Sequence, residues 1–189
     1  MDLVLFGIQG SGKGTQAKKL AAEHGFEIFE AGAELRKIAA SGSDLGKTVK
    51  EHIDAGHLVP HEIIMLVVKN AICAKPAEMS IIFDGIPRDD NQKQDFDEIM
   101  KGCGREFRCV HFLLDAEAGV QRIMGRARLE GRVDDQNEEI IRKRMNTFLA
   151  KTMPVIEAYK AAGKVVEIDA ERSVDEVYQD LEKLLISSF

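Results

Sequence analysis

A glycine-rich segment directly after the first apolar run sets the strongest limit on the fold. Residues 7–16 read GIQGSGKGTQ. Gly7, Gly12 and Lys13 match the pattern G-x-x-x-x-G-K of a phosphate-binding loop. In such a loop the glycines let backbone N–H groups turn towards an anion, and the following helix N-terminus and the lysine add positive charge. The segment therefore predicts a strand–loop–helix unit. A glycine-rich turn that serves packing alone is the alternative.

The loop departs from the common pattern at one position. The residue after the lysine usually carries a hydroxyl for Mg²⁺, but here it is Gly14, and the hydroxyl of Thr15 comes one residue later. Asp84 ends a second apolar run, SIIFDG. A carboxylate at the end of a strand beside a phosphate loop can orient Mg²⁺, directly or through water. Asp84 is therefore the candidate metal residue.

Apolar runs and helical segments alternate along the chain, which predicts βαβ units and a mostly parallel sheet with helices on both faces. The candidate strands are Asp2–Phe6, Glu27–Phe29, Ser80–Phe83, Arg108–Leu114 and Lys164–Ile168. Gly25 predicts the end of the first helix, and the capping box that begins at Ser173 predicts the start of the last. Helices are expected over Gly14–His24, from Pro60 to Ala74 and over Val174–Leu185.

Two segments interrupt this alternation. Residues 30–59 are predicted to form two short helices between the second and third strands. These helices span Ala33–Ala40 and Asp44–Ala55. Residues 126–136, RARLEGRVDDQ, are predicted to be a charged loop before a long helix over residues 137–162, which Pro154 is expected to kink.

The net charge of −6 argues against a general nucleic-acid-binding protein. No apolar run approaches the roughly 18 residues that span a bilayer, and MDLVLFG is predicted to be a strand rather than a signal peptide. The three cysteines show no C-x-x-C spacing, which disfavours a disulfide framework or a zinc site. We therefore expect a cytoplasmic protein that binds neither nucleic acid nor membrane.

Positive charge is nevertheless concentrated locally. Six of the eleven arginines lie in one short segment: Arg122, Arg126, Arg128, Arg132, Arg142 and Arg144. A nucleotide donor together with a phosphate-bearing acceptor would need such charges, because arginine binds phosphate bidentately and stays protonated. A nucleoside monophosphate is already an anionic nucleophile, so no general base is required. For Arg128 and Arg142 we favour the alternative of a solvated helix face with salt bridges.

Four motifs in order resemble the adenylate kinase family of nucleoside monophosphate kinases: GSGKGTQ (10–16), DGIPR (84–88), GRVDD (131–135) and IRKR (141–144). The resemblance covers nearly the whole chain. It implies one α/β domain over residues 1–189, a P-loop three-layer sandwich with a five-stranded parallel sheet. It also implies two small inserted subdomains, a monophosphate-binding insert over residues 30–59 and a short lid over residues 126–136, without the cysteines of the zinc-carrying form.

The resemblance also implies roles for individual residues. The ATP phosphates would be held by Gly10, Ser11, Gly12, Lys13, Gly14 and Thr15. The ATP side would also include Arg122 and Arg126, and Arg172 or the backbone around it would lie near the adenine. The monophosphate would be held by Ala31, Arg36, His57, Leu58, Val59, Gly85, Ile86, Pro87, Arg88 and Gln92. Arg132 and Arg144 would contact the phosphates being exchanged, and Asp84 would hold Mg²⁺ through water. Lys13, Asp84, Arg88, Arg122, Arg132 and Arg144 form the expected catalytic set.

Four positions depart from or discriminate within the family. Gln9 stands where the family usually has proline, and Ala31-Gly32-Ala33 stands where adenylate kinases commonly have Thr-Gly-Asp. Ala31 is similar to the UMP/CMP kinase branch, whereas Gln92 resembles the adenylate branch. We expect a monomer that catalyses MgATP + AMP ⇌ 2 ADP, with a UMP/CMP kinase as the first alternative. A catalytically silent nucleotide-binding module is the alternative from another class.

Overall fold

The computed structural model describes residues 1–73, 75–76, 78–130 and 137–187, of which residues 126–130 and 186–187 are described by backbone alone. Its centre is a five-stranded sheet in which every pairing is parallel, in the order β2-β3-β1-β4-β5. The strands are β1 (Asp2–Phe6), β2 (Glu27–Glu30), β3 (Ile81–Asp84), β4 (Phe107–Leu113) and β5 (Val165–Asp169). The prediction of a parallel five-stranded α/β sheet is confirmed.

Helices cover both faces of this sheet. They are α1 (Lys13–His24), α2 (Ala31–Ala39), α3 (Asp44–Asp54), α4 (His61–Cys73), α5 (Asp90–Gly102), α6 (Ala116–Glu130), α7 (Glu138–Thr147), α8 (Met153–Ala161) and α9 (Val174–Ser187). Side chains alternate along β1, so that Leu3 and Leu5 pack towards α1 and α9, whereas Val4 and Phe6 pack towards α4, α5 and α8. Both faces are therefore buried, as expected for a parallel sheet.

Local end signals work as the sequence predicts. Gly25 ends α1 with φ 73°, and its N–H donates to the carbonyl of Ala21. At the start of α9, the backbone N–H of Ser173 donates to Glu176 Oε2 at 3.0 Å, and Glu176 N–H donates to Ser173 Oγ at 3.4 Å. These are the two reciprocal bonds of a capping box.

The helical run over residues 137–162 differs from the prediction of one helix with a proline kink. It consists of α7, a π-helical turn over Phe148–Thr152, and α8. Pro154 lies in the first turn of α8, where its missing N–H costs little. Because proline cannot donate to the preceding turn and its ring crowds that turn's carbonyl, the distortion falls before the proline as a widened turn.

The segment 126–136 also differs in part from the prediction. Residues 126–130 continue α6 instead of forming a loop, in keeping with the helix-favouring residues Ala127, Leu129 and Glu130. Residues 131–136 lie outside the described residues. The prediction that residues 126–136 form a lid therefore stays a prediction. Within the described ranges, no helix is long and apolar enough to cross a membrane.

Candidate active site

The strand order places a cleft at the carboxyl edge of the sheet. β1 lies between β3 and β4. The chain leaves β1 towards β2 at one edge of the sheet, whereas it leaves β4 towards β5 at the other edge. Ligands of open α/β sheets bind at such a switch point. A cavity of about 410 Å³ opens there, within the size range of small-molecule sites. Its lining includes most of the predicted residues: Gly10, Gly12, Lys13, Gly14, Thr15, Ala31, Arg36, His57, Leu58, Val59, Asp84, Gly85, Ile86, Pro87, Arg88, Gln92, Arg122 and Arg144.

The glycines of the first loop adopt conformations that other residues rarely adopt. Gly10 and Gly12 have φ values of 83° and 91°. A Cβ atom on Gly10 would lie 2.8 Å from the backbone oxygen of Gly119 on α6, so the loop also needs glycine for close packing. Gly12 is the N-cap residue of α1 and provides no capping side chain. The N-terminus of α1 therefore faces the cleft with its first backbone N–H groups uncapped by this residue.

Lys13 lies folded against this loop. Its Nζ donates to the carbonyl oxygens of Gly7 at 2.8 Å and Ile8 at 3.1 Å. Ser11 is 3% exposed and is not among the described residues that line the cavity. The ammonium group of Lys13 thus lies inside the loop. If it exchanged its two carbonyl partners for phosphate oxygens, it would bind the anion directly.

Asp84 ends β3 opposite Leu5 of β1. Its Oδ2 atom would lie 3.9 Å from a Cβ placed on Gly14, so the carboxylate faces the first turn of α1. This position combines an oxygen ligand with the phosphate loop, which is the donor chemistry that Mg²⁺ prefers. The residues present therefore fit a Mg²⁺ ion that accompanies a nucleotide.

The segment after β3 holds Arg88 from several directions. Arg88 Nε donates to the carbonyl of Gly85 at 2.7 Å. Its backbone N–H donates to Gln92 Oε1 at 2.8 Å, and its carbonyl accepts from Thr152 Oγ1 at 2.8 Å. Gln92 is 2% exposed and lines the cavity. Thr152 belongs to the π-helical turn, so that turn supports the arginine directly. The guanidinium is thus preorganised.

Positive charges converge around Arg88. Burial lowers its pKa, and the charges of Arg144 and Arg36 lower that pKa further. The carboxylate of Asp84 acts in the opposite direction and raises the pKa of Arg88. Arginine nevertheless stays protonated because the guanidinium group is a very strong base. The arrangement concentrates positive charge in a desolvated cleft, where an anionic ligand would relieve the repulsion.

Arg144 and Arg122 connect the cavity to its surroundings. Arg144 Nη2 donates to the carbonyl of Ile53 at 3.3 Å, which links α7 to the end of α3 in the 30–59 segment. Arg122 Nη1 donates to the carbonyl of Ala170 at 2.9 Å, beyond the end of β5. Both residues line the cavity.

Arg172 does not join them in this structure. Its guanidinium binds Asp180 on α9 and lies 3.7 Å from Asp169, and the residue is not among those that line the cavity in the described chain. The side chains of Arg126 and Arg132 fall outside the description. Arg142 donates to Glu117 and Glu138 on the surface, which confirms the prediction of a salt-bridged helix face for this residue.

The residues that line the cavity include some that were not predicted from the sequence, among them Thr152 and Glu30. Thr152 carries no motif, and its contact with Arg88 depends on the π-helical turn. Glu30 lines the cavity, and its Oε1 accepts from Arg36 Nη2 at 2.9 Å. The i, i+6 spacing of this pair is not a helical side-chain spacing, but an acidic residue at the end of a predicted strand could have marked Glu30.

The family model described as adenylate kinase matches residues 5–164. The chain belongs to the adenylate kinase family. An adenylate kinase of Maricaulis maris is 39% identical over 178 residues, covering 94% of both chains. One of Caulobacter vibrioides is 36% identical over 98% of this chain and 97% of its own, and one of Thermus thermophilus is 36% identical over 93% and 92%. This family member thus shares nearly its full length with these relatives.

Proposed function

We propose that the protein catalyses reversible phosphoryl transfer from MgATP to AMP, giving two ADP molecules. The observation that carries this proposal is the cavity that joins the phosphate loop to the arginines after β3 and on α7. AMP as the acceptor is supported by relatives named adenylate kinase over nearly the whole chain. The UMP/CMP kinase alternative is not favoured by these relatives, although Ala31 had kept it open.

The mechanism needs no residue that removes a proton. An AMP phosphate is an anionic nucleophile, so catalysis depends on positioning and on neutralising charge. Lys13 would exchange its bonds to the loop carbonyls for oxygens of the ATP phosphates. Arg88 and Arg36 would hold the AMP phosphate, and the bond from Arg88 Nε to Gly85 sets the plane in which its terminal nitrogens bind it. Arg144 would add charge between the two nucleotides.

The remaining proposals concern the parts around this centre. Residues 30–59 would form the monophosphate-binding insert, and the bond from Arg144 to Ile53 supports a direct connection between that insert and the phosphates. Residues 126–136, with Arg126 and Arg132, would close over ATP as a short lid, and Arg172 would approach the adenine. We expect a cytoplasmic monomer with ATP, AMP and ADP as its ligands. The presence of Lys13 and Arg88 in one cavity favours an enzyme over a silent binding module.

An acceptor panel tests the reaction. With ATP as donor, we expect kcat/KM for AMP to exceed the values for CMP and UMP by at least about tenfold, because Gln92 can pair with the edge of adenine. The measurement is ADP formation in a coupled assay with AMP, dAMP, CMP and UMP at equal concentrations. Rapid turnover of CMP or UMP with none of AMP would overturn the AMP assignment and restore the alternative that Ala31 indicated.

Mg²⁺ would neutralise charge on the ATP phosphates, with Asp84 holding its waters. We expect Asp84→Asn to raise the Mg²⁺ concentration for half-maximal activity about tenfold, because removing a residue that hydrogen-bonds the metal's own ligands typically costs about 10–100-fold in metal affinity. The dissociation constant for AMP, measured by calorimetry without metal, reports separately on the loss of negative charge beside Arg88. An unchanged Mg²⁺ requirement would remove Asp84 from the metal site.

A further inference from the structure

Glu30 is the last residue of β2, and it places a carboxylate where the proposed function places a phosphate. Its Oε1 atom accepts a hydrogen bond from Arg36 Nη2 at 2.9 Å, and both residues line the cavity. The parallel register sets Glu30 opposite Asp84 of β3, at the same carboxyl edge of the sheet. Arg36 therefore has an anionic partner before any substrate arrives.

The monophosphate must compete with this carboxylate. A phosphate monoester carries about −1.5 to −2 charges at neutral pH. When it approaches Arg36, it either takes the guanidinium from Glu30 or remains next to a carboxylate of the same sign. Both outcomes weaken binding. The side chains of Arg36 and Glu30 are 37% and 40% exposed, so solvent screens the effect to a moderate size without removing it.

We propose that Glu30 is a positioning residue that competes with the monophosphate for Arg36 and so weakens its binding. The inference rests on the proposed function, which assigns Arg36 to the AMP phosphate. Weaker binding of the ground state costs nothing in the chemical step, since only interactions that strengthen in the transition state accelerate it. The rate of product release increases, because Glu30 can bind Arg36 again as ADP leaves the same subsite.

Calorimetric titration with AMP in the absence of ATP isolates this effect, because no reaction then occurs. We expect Glu30→Gln to lower the dissociation constant for AMP about three- to tenfold, the size of a partly screened charge interaction. The matched control is Glu34→Gln. Glu34 lies on α2, the helix that carries Arg36, pairs with Lys37 at 2.7 Å, and is not among the described residues that line the cavity. Its variant should bind AMP as the wild type does.

A second variant separates charge from hydrogen bonding. The side chain introduced by Glu30→Gln can still accept a hydrogen bond from Arg36, whereas that introduced by Glu30→Ala cannot. Both variants should bind AMP more tightly if the carboxylate competes. KM for AMP should fall in both variants while KM for ATP stays constant. Higher ionic strength should reduce the difference between the variants and the wild type in the dissociation constant for AMP. AMP binding that is unchanged or weaker in both variants, with melting temperatures near wild type, overturns the proposal.

Arg36→Ala distinguishes failure of this inference from failure of the proposed function. If that variant binds AMP as tightly as the wild type, Arg36 is not a monophosphate ligand and the role of Glu30 falls with it. If Arg36→Ala weakens AMP binding while the Glu30 variants bind AMP no more tightly, the proposed function stands and only the competition by Glu30 is overturned.

Discussion

Replacing Arg88 by alanine is expected to lower kcat by about 10³-fold or more while the protein remains folded, since one well-placed arginine contributes about 10³–10⁵ in phosphoryl transfer. The side chain is held by the Gly85 carbonyl and lies among like charges that an AMP phosphate would neutralise. Its backbone contacts to Gln92 and Thr152 survive the substitution, so the loop should keep its shape. Steady-state kinetics with saturating ATP and AMP give the measurement.

The matched control for Arg88→Ala is Arg142→Ala. Arg142 lies on the exposed face of α7 and pairs with Glu117 and Glu138, and it is not a lining residue of the cavity in the described structure. Its loss should leave kcat within about twofold, because exposed ion pairs contribute little. A near-normal kcat in Arg88→Ala, with circular dichroism unchanged, would contradict the proposed phosphate clamp.

Asp2→Asn is expected to lower the free energy of unfolding by about 3–5 kcal/mol, the usual cost of leaving one charge of a buried pair without its partner. Asp2 and Arg105 have side chains only 2% and 4% exposed, and Arg105 Nε donates to Asp2 Oδ2 at 2.7 Å. Asp2 Oδ1 also accepts from the backbone N–H of Ile81 at 2.8 Å. The carboxylate therefore ties the start of β1 to the start of β3.

Urea unfolding of Asp2→Asn should be compared with Asp175→Asn. Asp175 pairs with Lys19 on the surface and is 83% exposed, so its substitution should cost at most about 1 kcal/mol. The double variant Asp2→Asn/Arg105→Met should cost less than the sum of its two single variants, because the second change removes the uncompensated charge. Equal costs for the buried and the exposed substitution would contradict this account.

The strands of the described sheet and several helix ends could be predicted because their signals are local. Apolar runs bounded by turn residues predicted all the strands of the described sheet to within about two residues, the usual uncertainty of such boundaries. Gly25 and the capping box at Ser173 predicted helix ends because the bonds involved join residues at most four positions apart. Pro154 marked the position of the distortion in this helical run, but its form, a π-helical turn over Phe148–Thr152, was not predicted.

The site was predictable only in part. Lys13 and Arg88 could be predicted because each lies in a short motif of residues adjacent in the sequence. Both residues line the cavity. Arg172 lies apart because a longer-range partner, Asp180, holds its guanidinium. No motif joins Thr152 to Arg88, which lie 64 positions apart.

The sequence by itself determined the reaction class, because the phosphate loop and the ordered motifs require particular residues at short spacings. It also determined the parallel sheet, through apolar runs that alternate with helices. Only the tertiary structure decided which charges meet: Glu30 with Arg36 in the cleft, and Asp2 with Arg105 in the core. The physical reason is that electrostatic pairing depends on distance and burial, and residues that do not share one regular helix or strand acquire both only when the sheet and its helices assemble.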